Sequence, residues 1–130
     1  MAVGEYMCPV IDVNDLAVAE QFWVAVTGWP ITLSRWNDEY SEIGDQKASL
    51  LLQRVPETKA VKNRVHLDFR VDDVAKAVDE VIGLGGGVVK PPGFTRTWEG
   101  NNVPADAPDG PMVEWAVVAD PFGNEFCLVR

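Results

Sequence analysis

The sequence predicts an α+β fold made of two tandem β-α-β-β-β units. Three observations carry this. Residues 64–71 alternate strictly, with Val65, Leu67, Phe69 and Val71 on one face and Arg64, His66, Asp68 and Arg70 on the other. A period of two is that of a strand with one face in a core. Residues 15–27 place Leu16, Ala19, Phe22, Trp23 and Val26 at three- and four-residue spacing, the apolar stripe of a helix. Sliding the chain by 58 residues lays Cys8–Ile31 on His66–Val89 without a gap, so the order strand, acidic cap, helix, glycine recurs.

In order, residues 6–13 make the first strand, and Asn14 or Asp15 caps the helix after it. Gly28 stands where a helix C-terminus favours glycine. Short strands come next at Ile31–Arg35, Glu39–Ile43 and Ala48–Val55, and the gaps between them carry Trp-Asn-Asp and Gly-Asp-Gln, which are turn chemistry. Pro56–Asn63 is polar and reads as a linker inside one 130-residue domain, with unit one over about 5–55 and unit two over about 64–130. Unit two opens on the strand within Lys62–Asp73, and Asp72 and Asp73 are placed to cap a second helix. Under the slide Val13 meets Val71, Asp15 meets Asp73 and Gly28 meets Gly86. Strands resume at Val88–Lys90, Val113–Ala119 and Glu125–Val129. Asp120-Pro121-Phe122-Gly123-Asn124 joins the last two, with Pro early and Gly late as a tight turn requires. Pro91–Pro111 breaks the symmetry: it holds five prolines together with Phe94 and Trp98, which suits either a lid over a cavity or a surface loop.

Composition narrows the partners. The formal net charge is −9, from 20 acidic and 11 basic residues, so nucleic acid and anionic membranes are not expected partners. No apolar run approaches the roughly 20 residues of a spanning helix. The N-terminus lacks the pattern of a signal peptide, and two cysteines, Cys8 and Cys127, make no disulfide framework. A cytoplasmic protein is expected.

The candidate site lies on the polar face of the 64–71 strand. His66 is the chain's single histidine and can act as acid or base near neutral pH, with Asp68 or Glu125 orienting it, or it can be a hydrogen-bonded wall residue. Arg70 can bind a ligand carboxylate or pair with Asp68 or Glu125. Of five tryptophans, Trp23 belongs to the core; Trp29, Trp36, Trp98 and Trp115 offer either aromatic walls for a planar or apolar small molecule or further core packing.

The duplicated unit, the strand His66-Leu-Asp-Phe-Arg-Val-Asp-Asp and the closing Asp120-Pro-Phe-Gly-Asn-Glu-Phe-Cys resemble the vicinal oxygen chelate superfamily, which includes glyoxalase I, bleomycin-resistance proteins and extradiol dioxygenases. Gln53-Arg-Val-Pro-Glu and Lys62-Asn-Arg-Val-His-Leu-Asp resemble a small glyoxalase-like bacterial branch. The resemblance implies a cupped mixed sheet with helices outside, and a homodimer. It also implies that enzyme members hold a divalent metal with four side chains, from the first and last strands of each unit. His66 matches one such place; Cys8 and Cys127 occupy two others, and Leu51 or Gln53 the fourth. A Cys where the superfamily usually has Glu removes the hard oxygen donor an octahedral ion needs. No metal and no cofactor are therefore expected in the superfamily's usual form, although Cys8, Cys127 and His66 are also a donor set that suits zinc.

Two functions are expected on this basis. One is metal-independent binding or sequestration of a small, partly aromatic or apolar molecule, with Cys8, Gln53, Arg70, Trp98 and Cys127 lining the cavity. The other is a small lyase, isomerase or hydratase using His66 with Asp68 or Glu125, with or without a metal.

Overall fold

The computed structural model describes residues 2–95 and 113–130. It contains strands β1 (Val10–Val13), β2 (Ile31–Trp36), β3 (Tyr40–Gly44), β4 (Ser49–Arg54), β5 (Leu67–Arg70), β6 (Gly87–Thr95), β7 (Val113–Ala119) and β8 (Glu125–Val129). Helices α1 (Leu16–Thr27) and α2 (Val74–Gly83) come after the first strand of each half. The chain divides into two compact units, Met1–Ala60 and Val61–Arg130. Their sheets have the same order, β1-β4-β3-β2 and β5-β8-β7-β6, so the repeat read from the sequence is a repeat of topology. Each sheet is mixed: the first strand runs parallel to the last and the other pairs are antiparallel.

Both helices start as their caps dictate. Asp15 and Asp73 have extended backbones, and their carboxylates accept the amide protons of Val18 and Lys76 at 3.0 Å. Gly28 closes α1 in the left-handed region at φ 71°. In unit two the left-handed position falls on Gly85, one residue before the glycine the slide aligns with Gly28. Gly86 has a different duty, because a Cβ there would come within 2.6 Å of Val81 Cγ1. In the β2–β3 hairpin Asn37 and Asp38 both have positive φ, as a tight hairpin turn of the right twist demands.

In unit one Val13, Ile43, Leu50 and Leu52 are buried with Phe22 and Trp23 of α1, whose rings meet edge-on at 5.3 Å. In unit two Ala116, Val118, Phe126 and Leu128 are buried with Val74, Val78 and Val81 of α2. Among the described residues no helix is long and apolar enough to cross a membrane.

The structure corrects three sequence expectations. The strand expected across residues 64–71 is only Leu67–Arg70, and Val65 is exposed rather than in the core. The ladder with β8 begins only at Leu67 beside Phe126, and the Glu125 amide proton goes to Asn63 Oδ1 at 3.1 Å instead. The first strand begins at Val10, not at Tyr6; Tyr6 and Met7 are exposed, and Cys8 precedes the strand because Pro9 has no amide proton to donate. The stretch Val88–Lys90 continues as β6 to Thr95, so Pro91–Thr95 are strand rather than loop. Proline is tolerated there because β6 is an edge strand whose register shifts between Lys90 and Gly93.

Candidate functional site

The candidate site is built on the face of the second sheet opposite α2. In the register of β5 with β8, Asp68 lies beside Cys127, while Leu67 and Phe69 lie beside Phe126 and Leu128 on the helix side. The turn before β8 aims this strand. The Asp120 carboxylate is buried and accepts the amide protons of Phe122 and Asn124 at 2.9 and 2.8 Å, and Gly123 takes φ 87°. Strand alternation then sends Glu125, Cys127 and Val129 to the open face.

Three of the expected residues meet here. His66 Nδ1 lies 3.5 Å from Cys127 Sγ and 3.5 Å from Asp68 Oδ1. The ligand atoms of all three lie within 4.8 Å of one another. His66 and Asp68 are about half exposed, and Cys127 is buried. Burial, and then the charge of Asp68, push the Cys127 thiol up to about 11 from its ordinary 9.0. The folded chain therefore favours the neutral thiol. A raised acid pKa contributes nothing against the unfolded chain below about 9, and stability is lost as pH rises from 9 towards 11. The expected result is that iodoacetamide leaves Cys127 unmodified at pH 7 and labels it only as the pH approaches 11, as read by peptide mass mapping. Rapid labelling at pH 7 in the folded chain would contradict the environment described.

The other expected residues are placed elsewhere. Glu125 shares the open face two residues from Cys127, with its backbone amide on Asn63. Arg70 ends β5, exposed, and borders an open groove with Asp72, Asp73 and Lys76 at the start of α2. Gln53 is half-buried in unit one, on the face of the first sheet opposite α1; its amide donates to Tyr40 Oη at 3.4 Å. Leu51 shares that face. Cys8 is half-buried ahead of β1, also in unit one. Trp98, and with it most of the Pro91–Pro111 stretch that suits either a lid or a surface loop, lies outside the described residues.

Sequence reasoning missed two arrangements. On the open face of the second sheet, Lys90 Nζ sits 3.4 Å from the centroid of the Trp115 ring, a cation–π contact across β6 and β7. In unit one the buried Glu20 accepts hydrogen bonds from Ser41 Oγ at 2.5 Å and Ser34 Oγ at 2.9 Å, with the Arg35 guanidinium 3.5 Å away. The signal for the second was present: Glu20 comes four residues after Leu16, on the apolar stripe of α1.

The donor set decides which ion would suit the trio. Mg²⁺ and Mn²⁺ take mostly oxygen ligands in octahedra, with bonds of about 2.1 Å for Mg²⁺ and neighbouring ligands about 3.0 Å apart. One imidazole, one carboxylate and one neutral thiol at 3.5 Å spacing do not fit that demand.

Two β-α-β-β-β units of identical topology, with a histidine before the first strand of the second, define a vicinal oxygen chelate protein. More narrowly, the chain belongs to the glyoxalase-like domain family, whose model matches residues 9–129. Among curated proteins none matches this chain. Solved structures share its fold at low identity. A hypothetical protein from S. aureus is 21% identical with a TM-score of 0.67, covering 98% of each chain. A glyoxalase/bleomycin resistance protein/dioxygenase family enzyme from Burkholderia phytofirmans is 21% identical with a TM-score of 0.64, covering 92% of this chain and 93% of its own. The fosfomycin resistance protein FosX of Listeria monocytogenes, solved as a mutant with Mn(II) and a dihydroxypropylphosphonic acid, is 15% identical with a TM-score of 0.65, covering 98% and 90%. At these identities the likeness shows the fold alone.

Proposed function

We propose that this protein binds and sequesters a small, partly aromatic or apolar molecule, and that binding requires no octahedral metal ion. The observation that carries this reading is the open face of the second sheet. There Trp115, held under Lys90, shares a surface with Val117 and Cys127, while His66 and Asp68 supply polar contacts at its edge. An aromatic and apolar floor with few polar groups suits a planar or apolar ligand. The donor set supports the second half of the proposal, since it lacks the oxygen ligands that Mg²⁺ or Mn²⁺ demands.

The 3.5 Å approach of His66 Nδ1 to Asp68 favours a second reading, a small lyase, isomerase or hydratase in which Asp68 orients the imidazole as acid or base. One experiment separates the two. A small-molecule thermal-shift screen in EDTA identifies a ligand, and NMR then monitors that ligand over hours with the protein. Sequestration predicts a raised melting temperature, quenched tryptophan fluorescence and an unchanged ligand. Conversion of the ligand, lost in His66→Gln, would transfer the conclusion to the enzyme; a ligand that binds only with added Mn²⁺ would overturn the metal-free reading.

The expected homodimer belongs to this proposal. Edge strands β2 and β6 expose Ile31, Leu33, Val88, Val89 and Phe94, which pairing would cover. Light scattering should give about twice the chain mass of 14.3 kDa.

A further inference from the structure

The indole Nε1–H of Trp115 is buried and has no hydrogen-bond acceptor among the described residues. A donor in that position has lost the bond that water would give it, and nearly all buried donors in folded chains have a partner. Resting on the sequestration reading, we propose that Trp115 and Lys90 select the ligand by its charge. The molecule held on the open face of the second sheet is a planar aromatic carboxylate. Its oxygens accept from the indole N–H and from the Lys90 ammonium, and its ring lies on the apolar floor.

Three features converge on this spot. Lys90 Nζ lies 3.4 Å from the centroid of the Trp115 ring, and Lys90 is exposed, so its ammonium can leave the ring face and remain beside the indole. Both donors are then within reach of one carboxylate, whose oxygens accept N–H bonds at about 2.9 Å. Gly93 is the register partner of Trp115 and shares its face. A Cβ at Gly93 would meet nothing within 4 Å among the described residues, so there is open space beside the indole. The register also separates the charges. Lys90, Val117, Cys127 and Asp68 form one row across the sheet. Lys90 and Asp68 stand three strand spacings apart, about 14 Å, against a screening length of about 8 Å in physiological salt. A carboxylate at the Lys90 end is attracted there and is little repelled by Asp68. Val117 and Val129 lie between the two ends and give the ring its apolar bed.

The probes are 2-naphthoate and 2-naphthamide, which share a ring and a size and differ in charge. Calorimetry on the full chain in EDTA gives both affinities. The indole region of a ¹H–¹⁵N spectrum reports the site, and the Trp115 cross-peak is the one lost in Trp115→Phe. Naphthoate is expected to bind about tenfold tighter than the amide, as hydrogen bonds to a charged group imply, and to shift the Trp115 cross-peak. Lys90→Met keeps the apolar arm and should bring the two affinities level. Gly93→Val leaves both donors in place and should weaken both probes by filling the space beside the indole, with little change in melting temperature. Where Trp115→Phe disturbs folding, Lys90→Met still tests the site, because Lys90 is exposed. No saturable binding of naphthoate, equal affinities in the parent chain, or bound naphthoate with the Trp115 cross-peak unmoved would overturn the proposal. Equal affinities leave sequestration standing. Chemical conversion of a ligand removes sequestration and leaves the charge preference intact, so the two fail separately.

Discussion

Phe126→Ala is expected to cost about 3–5 kcal/mol of folding stability. The ring is 1% exposed, packs edge-on to Phe69 with centroids 5.6 Å apart, and belongs to the layer that α2 covers. Truncation removes its transfer free energy and leaves a cavity, which the rigid β5–β8 ladder cannot close. Asp68→Ala, on the opposite face of the neighbouring strand, is expected to change stability by less than about 1 kcal/mol. Chemical denaturation of both variants checks the two-faced reading of the sheet. Equal losses would mean that the open face is as tightly packed as the helix face, and no ligand surface would remain there.

Glu20→Ala is expected to cost about 2–4 kcal/mol, although it replaces a charged residue by a good helix former. The carboxylate is buried on α1 and is the acceptor for both Ser41 and Ser34. Ser41 is fully buried and its hydroxyl also accepts the Arg35 amide proton at 2.9 Å, where Arg35 has a positive φ of 49°. Removing Glu20 leaves two hydroxyl donors to find new acceptors, one of them in the core. The Arg35 guanidinium is more than half exposed and adds little. Glu20→Gln keeps the shape and one acceptor oxygen and should lose only about 1 kcal/mol. Melting temperatures in calorimetry should fall by roughly 4 °C per kcal/mol. An alanine variant as stable as the parent would show that the network contributes nothing.

Much of the fold was legible because its causes are local. Asp15 and Asp73 cap because an extended residue with a short carboxylate can reach amides three residues on. Alternation in Glu125–Val129 survives intact because β8 is paired on both sides and every residue must take one face or the other. The same logic misled at residues 64–71. There the pattern continues past the point where a partner strand exists, and an alternating sequence without a partner is not a strand. Proline misled in the other direction at Pro91 and Pro92, since an edge strand needs only one of its sides bonded.

The sequence by itself determined the duplication, the helix starts, the core face of the first helix and the side of the last strand on which Cys127 stands. Each depends on neighbours within about four residues, or on self-similarity along the chain. Only the tertiary structure decided that Asp68, and not another acid, lies at the thiol and at the imidazole. That contact depends on the parallel register of two strands far apart in sequence, which no local pattern encodes. Nor does a local pattern show that Glu20 turns inward to two serines. An acid on an apolar stripe is stable there only because the facing strands present hydroxyl donors, and the facing strands are assembled by the fold.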